Sequence, residues 1–186
     1  MKKAKLKKNK RVSKDQWLAI ALDTLESNGV GAVKIERLAK SLGISRSGFY
    51  WHFKNRQDLL KQLLEYWVRE YTGIVPNDPH VKKLEPKKRL NTLMDMIRNK
   101  NLTKYDLAIT AWAKTDLMAR KVLKKALDIR LDYLRSIFAE LGFDGDELEM
   151  RARLFVCYHA WEDTMFPDTS SQKNLQKLRY KFFIKK

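Results

Sequence analysis

Arg46, Ser47, Tyr50, His52 and Arg56 gather a guanidinium fork, hydroxyls and an imidazole into one short stretch. An arginine can reach the O6 and N7 edge of guanine bidentately, and hydroxyls and imidazoles suit phosphate oxygens. That chemistry is recognition of a nucleic acid. Catalytic chemistry finds no comparable set. His52, His80 and His159 are far apart in the chain, no histidine pair has metal-ligand spacing, and Cys157 has no cysteine partner. No glycine-rich phosphate loop or nucleophile elbow occurs. The expectation is a protein that is no enzyme, with no catalytic residues, no bound metal and no cofactor. Most carboxylates stand at helical spacing from Lys or Arg, as solvated faces do. Asp128, His159, Glu162 and Asp163 differ in sitting among apolar positions, where a structural hydrogen bond or a polar contact to an effector or partner subunit would use them.

The elements needed to present these groups are written in the sequence around them. Ile35, Leu38, Ala39 and Leu42 follow the i, i+3, i+4, i+7 pattern of a helix lying on a core. Gly43 falls where the chain must reverse, and glycine alone takes a left-handed conformation without steric cost. Ser45 is placed to cap a brief second helix. Phe49 and Phe53, four apart, should face inward, turning Arg46, Ser47, Tyr50 and His52 outward or to the margins. Gly48 costs a helix roughly 1 kcal/mol relative to Ala, a cost that close approach of DNA backbone would explain. Trp51 has two readings of equal weight, packing on neighbouring helices or contact with DNA. Together these features form a helix-turn-helix spaced for the major groove.

The segment resembles the DNA-binding domain of the tetracycline-repressor (TetR) family. The resemblance rests on Leu38-Ala39, on Gly43-Ile44-Ser45, and on Phe49-Tyr50-Trp51-His52-Phe53 followed by Lys54-Asn55-Arg56. It extends upstream through Ser13–Gly29 and so covers about residues 13 to 60. It implies base or backbone contacts from Arg46, Ser47 and Gly48 and phosphate contacts from Tyr50, His52 and Arg56. Lys34 would reach a phosphate, and Ser45 and Trp51 complete the candidate DNA-binding set. The chain departs from the family where many members carry hydroxyl or basic residues at the start of the first motif helix. Here Lys34-Ile35-Glu36 stand, and Glu36 would be repelled by a phosphate.

Charge is distributed accordingly. Of a formal net charge of +17, +10 falls on residues 1–56, which hold 14 Lys and Arg against 4 Asp and Glu. Eight of those cations lie before residue 15 and make a basic arm over residues 1–12 and just beyond. Such a block is either a solvated tail or an arm following DNA. No apolar stretch follows the basic N-terminus, and no run of 18 apolar residues exists to span a membrane. With a single cysteine, the expectation is a cytoplasmic protein, with Cys157 a small core residue.

The remainder reads as helix almost throughout. Ser13 and Gln16 form a capping box for a first helix that ends at Asn28-Gly29. Asn55 caps a helix continuing through Leu60, Leu63, Leu64, Trp67 and Tyr71 to about Gly73, which would link the two halves mechanically. Pro76, Pro79 and Pro86 make a loop of Ile74 to Glu85. Helices follow near 87–100, 103–113, 115–141, 146–166 and 171–184. The helix at 146–166 is apolar on more than one face and needs cover on two sides.

The expected fold is all-α, with an N-terminal three-helix helix-turn-helix domain over 13–56 and a helical effector-binding and dimerisation domain over 57–186. The resemblance implies a homodimer through the last two helices, a double-stranded DNA operator and a small-molecule effector. Trp67, Tyr71, Met94, Trp112, Met118, Phe155, Tyr158 and His159 are the candidate effector contacts, because aromatic and Met side chains suit an apolar cavity with few polar groups. The reading is a repressor released from a palindromic operator by its effector. A regulator controlled by a protein partner, or by no ligand, is the alternative. A small helical enzyme or carrier with an incidental basic tail is the competitor from another class.

Overall fold

The computed structural model describes residues 12–166 and 172–185. Among these every regular element is helical, and the chain divides into two compact units between Leu64 and Glu65. The expected arm lies outside the described residues except at Val12.

In the first unit, helix α1 (Lys14–Asn28) opens with the capping box: the Gln16 amide donates to Ser13 Oγ at 3.2 Å and the Ser13 amide to Gln16 Oε1 at 2.8 Å. Helix α2 (Ile35–Leu42) stops at Gly43, whose φ of 68° and ψ of 29° are left-handed. The Ile44 amide reaches back to the Ala39 carbonyl, which closes the reversal. A tight 3-10 helix (Arg46–Trp51) follows, then helix α3 (Arg56–Trp67). The core between them is Trp17, Leu22, Leu38, Phe49, Phe53 and Leu59, all at most 2% exposed. Trp17 meets Phe49 edge-on with centroids 5.5 Å apart, and Phe49 lies 5.0 Å from Phe53. Burying each of these rings contributes about 2–3 kcal/mol, and together they fix which face of the 3-10 helix is left outside.

The second unit begins within the run that α3 started. A π-helical turn (Val68–Thr72) carries that run to Gly73, where the sequence placed its end. The three-proline stretch is not a plain loop. Asp78 accepts from the His80 and Val81 amides, Pro79 takes the first helical position, and a one-turn helix α4 (Pro79–Lys82) tucks Val81 into the core. An Asp-Pro pair both caps and starts a helix, because proline has no N–H to leave unsatisfied. Helices α5 (Pro86–Asn99), α6 (Asp106–Ala113), α7 (Leu117–Glu140), α8 (Gly145–Met165) and α9 (Gln172–Ile184) complete it. Leu90, Leu134, Ile137, Phe138, Phe155 and Phe183 form its centre. Arg151 fastens α9 to α8: its guanidinium donates to the carbonyls of Phe182, Phe183 and Lys185 and stacks on Phe143 at 4.0 Å.

One expectation about burial is corrected here, and of the two readings of Trp51 the packing one falls away. Cys157 is exposed rather than a core residue. Apolar neighbours did not mark it as buried because α8 is apolar on a face its own unit leaves open. Trp51 is 86% exposed and is no packing residue of its unit. The ring faces out because Phe49 and Phe53 already take the inward positions.

Candidate nucleic-acid interface and internal cavity

The outer surface of the first unit is assembled by the turn at Gly43 and the 3-10 helix behind it. Ser45 starts that helix with an extended backbone, but its hydroxyl caps nothing and pairs instead with Ser47 Oγ at 2.7 Å. Tyr50 and Trp51 stand exposed, with Tyr50 edge-on to the buried Phe49 at 5.3 Å. Arg46 points out from the first turn and pairs with Glu36 at 2.8 Å, the two side chains 65% and 64% exposed. The backbone N–H of Glu36 itself and, less strongly, the bond from Arg46 hold the Glu36 carboxyl below its ordinary pKa. A Cβ at Gly48 would meet only the tip of the Ile44 side chain, Cδ1 at 3.3 Å, so the space there is tight but not closed.

Other candidates at this surface have internal partners. His52 Nε2 lies 2.9 Å from the Val12 carbonyl; a carbonyl only accepts, so Nε2 carries the proton. Arg56 Nε donates to the Val33 carbonyl and Nη2 to the Val30 carbonyl, both at 2.7 Å, which clamps the turn ahead of α2. Lys34 is the exposed N-cap residue of α2, with no side-chain cap bond. The structure thus brings Ser45, Arg46, Ser47, Tyr50 and Trp51 onto one short element, with Gly48 packed behind it.

The second unit holds a small, partly open cavity of about 50 Å³ whose lining includes Tyr71, Thr72, Arg130, Tyr133, Phe155 and His159. Tyr71, Phe155 and His159 were among the eight candidates from the sequence. The other five lie elsewhere. Trp67 is fully buried with the Arg130 guanidinium 5.6 Å from its ring, and Met94 and Trp112 are core residues. Met118 is half-buried in α7. Tyr158 is on the outer side of α8, bonded to Glu162 and beneath Arg179 at 4.8 Å. Helices with several apolar faces do not declare which one turns inward, and that is why these five fell outside.

Sequence reasoning missed Arg130, Thr72 and Tyr133. Arg130 forms a fork on Asp106, Nη1 to Oδ2 at 2.5 Å and Nη2 to Oδ1 at 3.0 Å, and Nε donates to Thr72 Oγ1 at 3.2 Å. The available signal was a carboxylate in the first turn of an otherwise apolar α6. His159 Nδ1 lies 2.8 Å from the Phe155 carbonyl, so Nδ1 bears the proton and Nε2 is a bare lone pair with no partner. Burial pushes the His159 pKa down to about 4, and the charges of Arg179 and Arg98 push the same way. The Tyr133 hydroxyl is also buried without a partner, and burial raises its pKa.

A third feature is the outer side of α8 and α9. Met150, Leu154, Tyr158, Trp161 and Met165 are exposed along α8, and Leu175, Leu178 and Phe182 along α9. Their spacings make one continuous stripe on each helix. Among the described residues no group of three or more His, Cys, Asp or Glu is placed to hold a metal, and no helix is long and apolar enough to cross a membrane.

Residues 18–63 match the family model described as bacterial regulatory proteins, tetR family. The chain is 26% identical over 130 residues to the HTH-type transcriptional regulator AcrR of Shigella flexneri, a match covering 61% of this chain and 60% of AcrR. It thus spans about three fifths of that relative's length. The solved TetR transcriptional regulator from Legionella pneumophila superposes with a TM-score of 0.71 at 14% identity, over 96% of this chain and 100% of that one. The transcriptional regulator FadR from Bacillus subtilis, solved in complex with stearoyl-CoA, does so with a TM-score of 0.63 at 15% identity, over 93% and 98%. At such identities the likeness speaks for the fold, an all-α helix-turn-helix unit followed by a helical unit.

Proposed function

We propose that this chain is a TetR-type regulator, a homodimeric repressor released from a palindromic operator by a small-molecule effector. The observation that carries the DNA-binding part is the outward set of Arg46, Tyr50 and Trp51 on an element whose inner face is locked by Phe49 and Phe53. A rigid base with a polar, aromatic and cationic outer face suits the major groove. Arg46 reads a base, Ser45, Ser47 and Tyr50 hold phosphates, and Trp51 packs on the sugar-phosphate backbone. The excess charge on residues 1–56 adds affinity for any DNA sequence.

The apolar stripes of α8 and α9 support the dimer, because an exposed face this large is otherwise an aggregation hazard. An isologous interface covers it with its own copy. Two-fold symmetry then sets two recognition elements about 34 Å apart, on successive major grooves.

The cavity supports the effector. At about 50 Å³ it is far smaller than the roughly 300–1,000 Å³ of ligand pockets, so a ligand must widen it. Widening displaces lining residues Tyr71 and Thr72, which end the helical run begun at Arg56, and Arg130, which grips both. Tenfold derepression requires about 1.4 kcal/mol of differential affinity between two arrangements of this run. The test is selection of bound sequences from random duplexes, with sedimentation of the protein at micromolar concentration. A two-fold-symmetric site and a dimer are expected. A site without symmetry, or a monomer, overturns the proposal.

A further inference from the structure

Glu36 and Arg46 stand ten positions apart, one in the first turn of α2 and the other at the start of the 3-10 helix, and they meet across the turn between them. Arg46 Nη1 donates to Glu36 Oε1 at 2.8 Å, with both side chains about two-thirds exposed. The carboxylate is the anchored member, because its own backbone N–H holds it at the start of α2 and favours its ionised form. The Lys34 charge acts on it as well, more weakly than Arg46 does. This is also where the chain departs from the TetR pattern it otherwise resembles, with an anion where many members carry hydroxyls or cations.

A guanidinium has five N–H donors, and the Glu36 bond takes one of them. Charge then decides what else Arg46 can bind. Guanine O6 and N7 lie on an uncharged base edge, so they can take the remaining N–H groups, or replace the carboxylate, without setting like charges together. A phosphate drawn to the same guanidinium is brought against the Glu36 carboxylate and is repelled by it. An arginine without such a partner would hold phosphates on any sequence. Contacts of that kind raise affinity for all DNA and carry no sequence information.

We infer that Glu36 is a specificity-determining residue: it denies Arg46 to the phosphate backbone, so that Arg46 adds affinity only where the duplex offers a guanine. The inference rests on the reading of the 3-10 helix as the DNA-reading element. It goes beyond that reading by giving a residue of the same charge sign as DNA control over the ratio of operator to non-specific binding.

The test takes four full-length proteins, the wild type, Glu36→Gln, Arg46→Ala and the double variant, and measures binding to a selected operator and an unrelated duplex over a range of salt. Both positions are exposed, so all four are expected to fold. Each phosphate contact contributes about 0.9 to the slope of log affinity against log salt. On the unrelated duplex, Arg46→Ala should leave the wild-type slope unchanged. Glu36→Gln should steepen it by about one contact's worth, and the ratio of operator to unrelated affinity should fall roughly threefold or more. The double variant should return to the wild-type slope. An equal gain on both duplexes in Glu36→Gln, or a steeper slope that persists in the double variant, overturns the inference, since Glu36 would then act only as one more negative charge. Weaker operator binding by Glu36→Gln overturns it too, by making Glu36 a positioning residue for Arg46. Equal loss on both duplexes in Arg46→Ala alone overturns the reading face and the inference with it, and that failure is visible without any change at Glu36.

Discussion

Two arginines, one in each unit, hold a carboxylate in opposite ways. Arg46 meets Glu36 at 2.8 Å with both side chains about two-thirds exposed, and Arg130 meets Asp106 at 2.5 Å with side chains 16% and 6% exposed. In water the first pair is screened and contributes little, so Arg46 exchanges its partner readily. The second sits where attraction is strong but loss of one member strands a buried charge. The first unit therefore keeps Arg46 available to an outside polymer. The second uses them to hold its interior around a cavity.

The largest effect is expected where the buried pair is broken. Asp106→Asn leaves Arg130 uncompensated and should lower stability by about 3–5 kcal/mol in denaturant unfolding, whereas Arg130→Met with Asp106→Leu should recover most of the loss. Full destabilisation by the double variant would show that the polar network, rather than the stranded charge, stabilises the second unit.

Next in size is a pH effect from the same interior. The folded pKa of His159 is about 4, below the ordinary 6.5, so between these values the unfolded chain binds the extra proton. Stability from this group is therefore complete above about pH 6.5 and falls by about 1.4 kcal/mol per unit as pH drops towards 4. His159→Phe should flatten the slope, read from unfolding midpoints at several pH values. Glu149 stays ionised across this window because Arg135 and Arg153 hold its pKa at about 2. A slope unchanged in His159→Phe would place the titration elsewhere.

The apolar stripes give a prediction of similar size. Trp161→Glu at the exposed face of α8 should shift the protein to monomer at micromolar concentration and weaken operator binding in parallel, while leaving the monomer folded. A dimer that survives the change would move the interface away from α8 and α9.

The smallest effect on stability is expected at the exposed pair. Glu36→Gln should leave the unfolding midpoint nearly unchanged. It should nevertheless strengthen DNA binding several-fold, since it frees Arg46 and removes an anion from a surface facing phosphates. Weaker binding would mean that Glu36 positions Arg46 for its base.

What the sequence disclosed follows the same division. Ser13 with Gln16, Gly43, and Phe49 with Phe53 act over a few residues, so their spacing alone announced the capping box, the left-handed turn and the inward face. The cavity depends on contacts such as Arg130 with Asp106 and Thr72, which lie 24 and 58 positions away. No periodicity encodes such distances. Tyr71, Phe155 and His159 were found because they are aromatic and near the apolar centre, but the same rule swept in Trp67, Trp112 and Tyr158. One local signal was passed over: Asp78-Pro79 starts a helical turn inside what the prolines made look like a loop.

The central claim is that the outer face of the 3-10 helix reads DNA sequence, and the binding of Arg46→Ala to a selected operator and to an unrelated duplex tests it most directly. With fluorescent duplexes at fixed salt, loss of a bidentate base contact should cost about 1–3 kcal/mol on the operator, roughly a 5- to 150-fold weakening. Affinity for the unrelated duplex should change far less. Equal weakening of both would make Arg46 a phosphate contact, and undiminished operator binding would contradict the assignment of this face as the reading surface.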